Sequence, residues 1–219
     1  MDFLGAMKAI EQFAYELMSW VLFFPLTIYR VIINPVRMMD YVAAETEKDE
    51  KVAFASAMRP TLFLLLALTI GVLTVPFTDA EAAKISVTRL GKAITDSWVT
   101  LVMFRMIIFT AFPIAGALIH DLFTPGEVDR NTLKKPFLQQ CYIMAPFALI
   151  TSPCLTLASR GDLWAGLALI VSVIWLIISE TLFFRRQSRF GWVGSIFSAL
   201  LVFFAGYTVF ITTAIFMMK

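Results

Sequence analysis

"WVTLVMFRMIIFTAFPIAGALI", residues 98–119, is an apolar run with one permanent charge, Arg105, set inside it. A helix rising 1.5 Å per residue needs about 20 such residues to cross ~30 Å of hydrocarbon, and this run supplies them. The whole chain repeats the pattern. Of its 219 residues 59% are apolar and only 16% charged, with a mean hydropathy of +0.81, where soluble domains run near ~25% charged. Such a chain cannot cover a water-facing surface. It reads as an all-α, polytopic membrane helix bundle.

Five spans are expected: Thr61–Phe77, Trp98–Ile119, Phe137–Leu157, Leu163–Phe184 and Gly194–Met218, each bounded by charged or turn-forming residues. Residues 60–219 therefore form a transmembrane domain, and residues 1–59 a lead-in of amphipathic interfacial helices. Pro113, Pro146 and Pro153 fall inside spans, where neighbouring helices satisfy the carbonyls that proline frees. Lys8, Arg30, Arg37, Lys48, Lys51, Arg59, Arg130, Lys134, Lys135, Arg185, Arg186 and Arg189 fall on one side of the expected membrane. Lys84, Arg89, Lys92, Arg160 and Lys219 fall on the other. The richer side is expected to be cytoplasmic, with the N-terminus in and the C-terminus out. The N-terminus has no basic segment followed by an apolar core, so no cleavable signal is expected.

In the lead-in, Phe3, Met7, Ile10, Ala14, Leu17, Val21, Phe24 and Ile28 recur at spacings of four and three and line one helical face. Trp20 and Tyr29 suit headgroup depth. Residues 17–33 fit an interfacial or re-entrant helix; a sixth span is the rival, opposed by Pro25 and Arg30. Asn34 followed by Pro35 announces a second surface helix.

The intramembrane charges are the candidate binding residues. Arg105 is placed ~10 Å below the boundary at Trp98 with its side chain leaning toward the helix N-terminus, where it either nearly reaches the headgroups or meets Thr151, Ser152 and carbonyls freed by Pro153 at similar depth. Glu180 leans back into hydrocarbon, with Gln139 and Gln140 at comparable depth and Arg185 and Arg186 just beyond, so a hydrogen-bonded or ion-paired cluster is expected there. A direct Arg105–Glu180 pair is excluded by a depth difference of ~15 Å. Such charges serve either structure or a substrate path.

Catalytic vocabulary is sparse. His120 is the single histidine, and no CxxC, HExxH, G-x-S-x-G, Walker A or G-x-G-x-x-G string occurs. No metal or other cofactor, and no enzymatic activity, is expected. A carboxylate set of Asp121, Glu127 and Asp129 is the one enzyme-like alternative, beside a turn at Pro125-Gly126. Cys141 and Cys154 lie ~20 Å apart on one helix and cannot bridge. Ala111 with Ala115, Ala168 with Ser172, and Ser195 with Ala199 would let helices approach closely. A net charge of +2 gives no nucleic-acid footprint.

The lead-in, then "NPVRMMDY", an acidic stretch and "RPTLFLLLALTIG" before four more spans resembles the bacterial members of the Yip1-type five-helix membrane family over 17–219. That family's aspartate-leucine-tyrosine-glycine-proline motif is missing here. The resemblance implies a non-enzymatic protein of the bacterial inner membrane, an accessory or scaffold for other membrane components, with no functional residue carried over. The alternative is a small transporter or permease subunit for a lipid or small solute. Expected partners are the bilayer, other membrane proteins and a further copy of the chain.

Overall fold

The computed structural model describes residues 3–49, 52–75, 78, 82–83, 86–124, 129–188 and 190–218. Eight helices lie among them: α1 Phe3–Ile33, α2 Pro35–Glu45, α3 Pro60–Thr74, α4 Arg89–Thr95, α5 Trp98–Leu122, α6 Arg130–Ser159, α7 Leu163–Gln187 and α8 Trp192–Met218. Polar side chains start most of them. Asn34 accepts from the Arg37 backbone N–H ahead of Pro35, Thr88 from Gly91, Ser97 from Thr100, and Asp162 from Trp164 and Ala165. At α6 Asp129 and Thr132 form a reciprocal capping box.

Four helices, α5 to α8, are long and apolar enough to cross a membrane. The chain is a multi-pass membrane protein. The expected first span is the correction. α3 has 15 residues and ends at Thr74, with Val75 in extended geometry at φ −133°, so it rises only ~22 Å, short of ~30 Å of hydrocarbon. The residue before a proline avoids helical backbone, and residue 76 is proline. The expected end at Phe77 lies outside the described residues.

α6 is the hub. Its 30 residues run continuously through Pro136, Pro146 and Pro153, and most of its side chains from 139 to 148 are fully buried. Neighbour directions follow from paired contacts. The ring of Phe63 on α3 meets Tyr142 edge-on at 5.4 Å, and Gly71 lies against Leu149 and Ser152. α3 therefore runs parallel to α6. Phe112 of α5 meets Phe147, while Gly116 lies against Gln140 and Arg105 bonds Ser152, so α5 runs antiparallel to α6. A tight turn through Gly161, at φ +91°, reverses the chain into α7. α8 opposes α5, with Gly206 against Phe112 at one level and Phe190 against Phe123 at another. Outward faces are apolar, as lipid requires: Met103, Ile107, Ile174, Ile178 and Phe204 are all exposed.

α1 and α2 form a collar at the end of the bundle where α6 begins. On α1 the buried face is Trp20, Phe24, Thr27, Ile28 and Val31. Of the stripe read from the sequence, Phe24 and Ile28 lie on this face, while Met7, Leu17 and Val21 are exposed. Between 20 and 33 the helix is apolar almost all round, so periodicity could not choose the face. Trp20 is half-buried against the core, whereas Tyr29 is exposed. The apolar segment Trp20–Ile33 is shorter than a span.

Side chains bond the collar to the bundle through its backbone. Gln139 donates to the Met39 carbonyl at 2.9 Å, Tyr142 to Met58, Trp175 to Ile32 at 3.3 Å, and the Met58 N–H donates to Thr27 at 3.3 Å. The link between α2 and α3 is pinned by buried Glu45, which accepts from Lys48 and from the Phe54 N–H, both at 2.6 Å. That contact holds Phe54 at φ +62°, a conformation that costs a bulky residue about 1 kcal/mol or more. The Lys48 hydrogen bond, joined by that from Phe54 and opposed by burial, holds the Glu45 carboxyl below its usual range.

A carboxyl so depressed stabilises the fold fully above the ordinary glutamate pKa of ~4.3 and ceases to do so as pH falls through its lower folded value. Limited proteolysis across 46–58 is therefore expected to accelerate as pH falls below ~4. In Glu45→Gln that acid-dependent step should vanish; an unchanged step would assign it elsewhere.

Candidate functional site

The two embedded charges sit at opposite levels of α6. Arg105, half-buried on α5, donates through Nη1 to Ser152 Oγ, one of the partners expected from the sequence. Ser152 is also the residue against which Gly71 of α3 packs. One hydroxyl thus sits where α3, α5 and α6 meet.

Glu180 lies twelve positions of α6 away, because its partner is Gln140. Gln140 Nε2 donates to Glu180 Oε2 at 2.8 Å, and both side chains are closed off, at 0% and 1% exposure. Gly116 on α5 makes the room: a Cβ there would overlap the Gln140 amide. Two oxygens of this node, Gln140 Oε1 and Glu180 Oε1, are buried with no hydrogen-bond partner among the described residues, as is Ser179 Oγ. The ring of His120 lies 5.6 Å from Phe183, one turn along, and its Nε2 faces the Gln187 carbonyl at 3.4 Å. A neutral Glu180 would carry a proton for one of the two orphaned oxygens to donate, the other to accept. Carboxyl and amide together are suited to exchange one proton or hold one small cation.

The expected cluster forms only in part. Gln140 reaches Glu180, but Gln139 turns to α2, since adjacent helical residues point ~100° apart. Arg185 and Arg186 do not join. Arg185 donates to the Phe190 carbonyl at 3.1 Å and lies 5.6 Å over Trp192. Arg186 pairs with Asp40 of α2 at 3.3 Å, a half-exposed contact worth under ~1 kcal/mol. They follow Glu180 by five and six residues, which puts them beyond the buried level. Arg105 and Glu180 do not pair.

Of the carboxylate set, Asp121 accepts from Thr132 at 2.8 Å and Asp129 caps α6; Glu127 and the Pro125-Gly126 turn lie outside the described residues. No group of three metal-ligand side chains occurs among the described residues. Sequence reasoning missed the close approaches at Gly71, Gly116 and Gly206, each pressed against a neighbour; the signal was glycine inside a span. It also missed a groove of about 480 Å³ on the collar, lined by Arg30, Arg37, Asn34 and Tyr41 among others.

No family model, curated protein or solved structure matches the chain.

The Gln140–Glu180 bond predicts a specific set of stabilities in mixed-micelle unfolding. Glu180→Gln keeps an acceptor for Gln140 and should stay within ~1 kcal/mol of the native chain, whereas Glu180→Leu strands a buried amide and should lose about 1–3 kcal/mol. Adding Gln140→Leu to Glu180→Leu should recover part of that loss. Gly116→Ala should cost about 1–3 kcal/mol through overpacking.

Proposed function

We propose that this chain is a non-catalytic accessory or scaffolding protein of the bacterial inner membrane, whose α1–α2 collar presents a fixed surface to a membrane partner or to the lipid interface. The collar end is cytoplasmic in this reading. Lys48, Arg59, Arg130, Lys134, Lys135, Arg185 and Arg186 gather at that end of the helices, as the positive-inside tendency requires. The layout's resemblance to the Yip1-type family points the same way.

The observation that carries the reading is the stitching of the collar. Gln139, Tyr142 and Trp175 spend buried or half-buried donors on backbone carbonyls of α1, α2 and the 46–59 link. A loosely tethered tail would not engage core side chains in this way. The construction holds one surface rigid, which is what a docking platform requires. One observation favours the second reading, a small permease subunit: the unfilled oxygens of Gln140 and Glu180 inside the bundle.

A photo-crosslinking residue placed at exposed Ala44 on α2 in native membranes distinguishes the two. A scaffold should give one discrete protein adduct at Ala44, none at lipid-facing Phe197 on α8, and loss of the adduct when Gln139→Leu releases the collar. Absence of any adduct, with solute flux abolished by Glu180→Gln, would replace this reading with the permease.

A further inference from the structure

The groove on the collar brings together groups that the sequence keeps apart. Arg30 closes α1, Asn34 forms the corner, Arg37 and Tyr41 rise on the first turns of α2, and Ser56 comes from the link to α3. Its volume of about 480 Å³ falls within the ~300–1,000 Å³ of small-ligand sites.

Hydrogen-bond bookkeeping shows what the groove offers. Arg30 uses Nη1 on the Ser56 carbonyl at 2.7 Å, and its other N–H groups have no partner among the described residues. The Arg37 guanidinium is exposed and bonds none of them. Asn34 spends its carbonyl oxygen on the α2 cap, leaving its NH₂ group. The Tyr41 oxygen accepts from Ser56 at 3.2 Å, leaving its own proton to donate. Acceptors are consumed and donors remain. No carboxylate among the described residues lines the groove, and Asp40 and Glu45 are engaged elsewhere, the first with Arg186 and the second with Lys48 and Phe54. Two cations and neutral donors without a competing anion are the chemistry of a phosphate site.

The approach to the groove is apolar. Leu22, Leu26, Tyr29 and Ile33, spaced four, three and four apart, form one exposed stripe along α1. It extends ~16 Å along α1 to the groove rim. Ile33, at the rim, is 67% exposed. A soluble phosphate would have no use for this track. An acyl chain would.

We propose that the groove seats the headgroup of an anionic phospholipid, its phosphate held by Arg30 and Arg37 and one acyl chain laid along the Leu22–Ile33 stripe. The inference rests on the reading above in that it names the lipid which the collar engages at the interface.

The test uses the full chain purified in an uncharged detergent, with native mass spectrometry of added phosphatidylglycerol, of phosphatidylcholine with the same acyl chains, and of competing inorganic phosphate. The native chain should retain one phosphatidylglycerol in preference to phosphatidylcholine, and inorganic phosphate should not displace it. The Arg37 side chain bonds nothing among the described residues, so Arg37→Gln should fold normally and bind phosphatidylglycerol roughly fivefold more weakly. Arg37→Lys should recover part of the loss, and Leu26→Asn should weaken both lipids. Equal retention of the two lipids, or unchanged phosphatidylglycerol binding in Arg37→Gln, overturns the proposal. So does displacement by inorganic phosphate at comparable concentration, which would make the ligand a soluble anion. If lipid selectivity fails while the Ala44 adduct persists, this inference falls alone; if the adduct fails while selectivity persists, the scaffold reading falls alone.

Discussion

Hydrocarbon offers no hydrogen bonds, and most of this molecule's architecture answers that constraint. The burden falls on α6. It is the most buried of the four long helices, and four of its polar side chains each reach a different neighbour: Gln139 to α2, Gln140 to α7, Tyr142 to the link before α3, and Ser152 to α5. In water these bonds would compete with solvent and contribute little. In lipid the competing state is an unpaired polar group, so each contact restricts which helix sits where and in which direction. Glycine completes the arrangement. Gly71 and Gly116 let α3 and α5 come close enough for Ser152 and Gln140 to be enclosed.

The same constraint separates the two charges. Arg105 sits at the level where its partner Ser152 is shared by three helices, near the far end of α6. Glu180 is locked deeper toward the collar, against an amide and not a cation. Keeping them at different levels avoids a buried ion pair, whose desolvation cost is large. It also leaves the Glu180 node with unfilled hydrogen-bonding capacity that an ion pair would have consumed.

Helix content, four of the spans, the cap at Asn34 and both embedded charges could be read from residue order, because they depend on local composition and on depth counted along one helix. The meeting of Arg105 with Ser152 was legible for that reason, and so was Gln140 with Glu180. Rotation about the helix axis was not. Gln139 and Gln140 look alike in sequence but face different neighbours, and α1 is apolar on too many sides for its buried face to be chosen by periodicity. The length of α3 was overestimated because hydrophobicity continues past Val75 while proline at 76 disfavours helix there. The collar groove was out of reach, since it joins Arg30, Arg37 and Ser56 across two chain reversals.

The collar follows from α3. A 15-residue helix running parallel to α6 begins at the collar end and reaches only the level of Ser152 and a little beyond, so its N-terminal end is drawn inward and the link before it is held against Tyr142. Because α5 and α6 are antiparallel spans, the collar beside the start of α6 and the α4 segment before the start of α5 face opposite compartments, although α3 itself is shorter than a span. Cysteine accessibility measures this directly, with Glu47→Cys and Lys92→Cys placed singly in a chain whose Cys141 and Cys154 are replaced by alanine. Labelling of the two from opposite faces of the membrane by an impermeant maleimide is the predicted result; labelling of both from the same face would contradict the antiparallel α5–α6 spans and the bundle built on them.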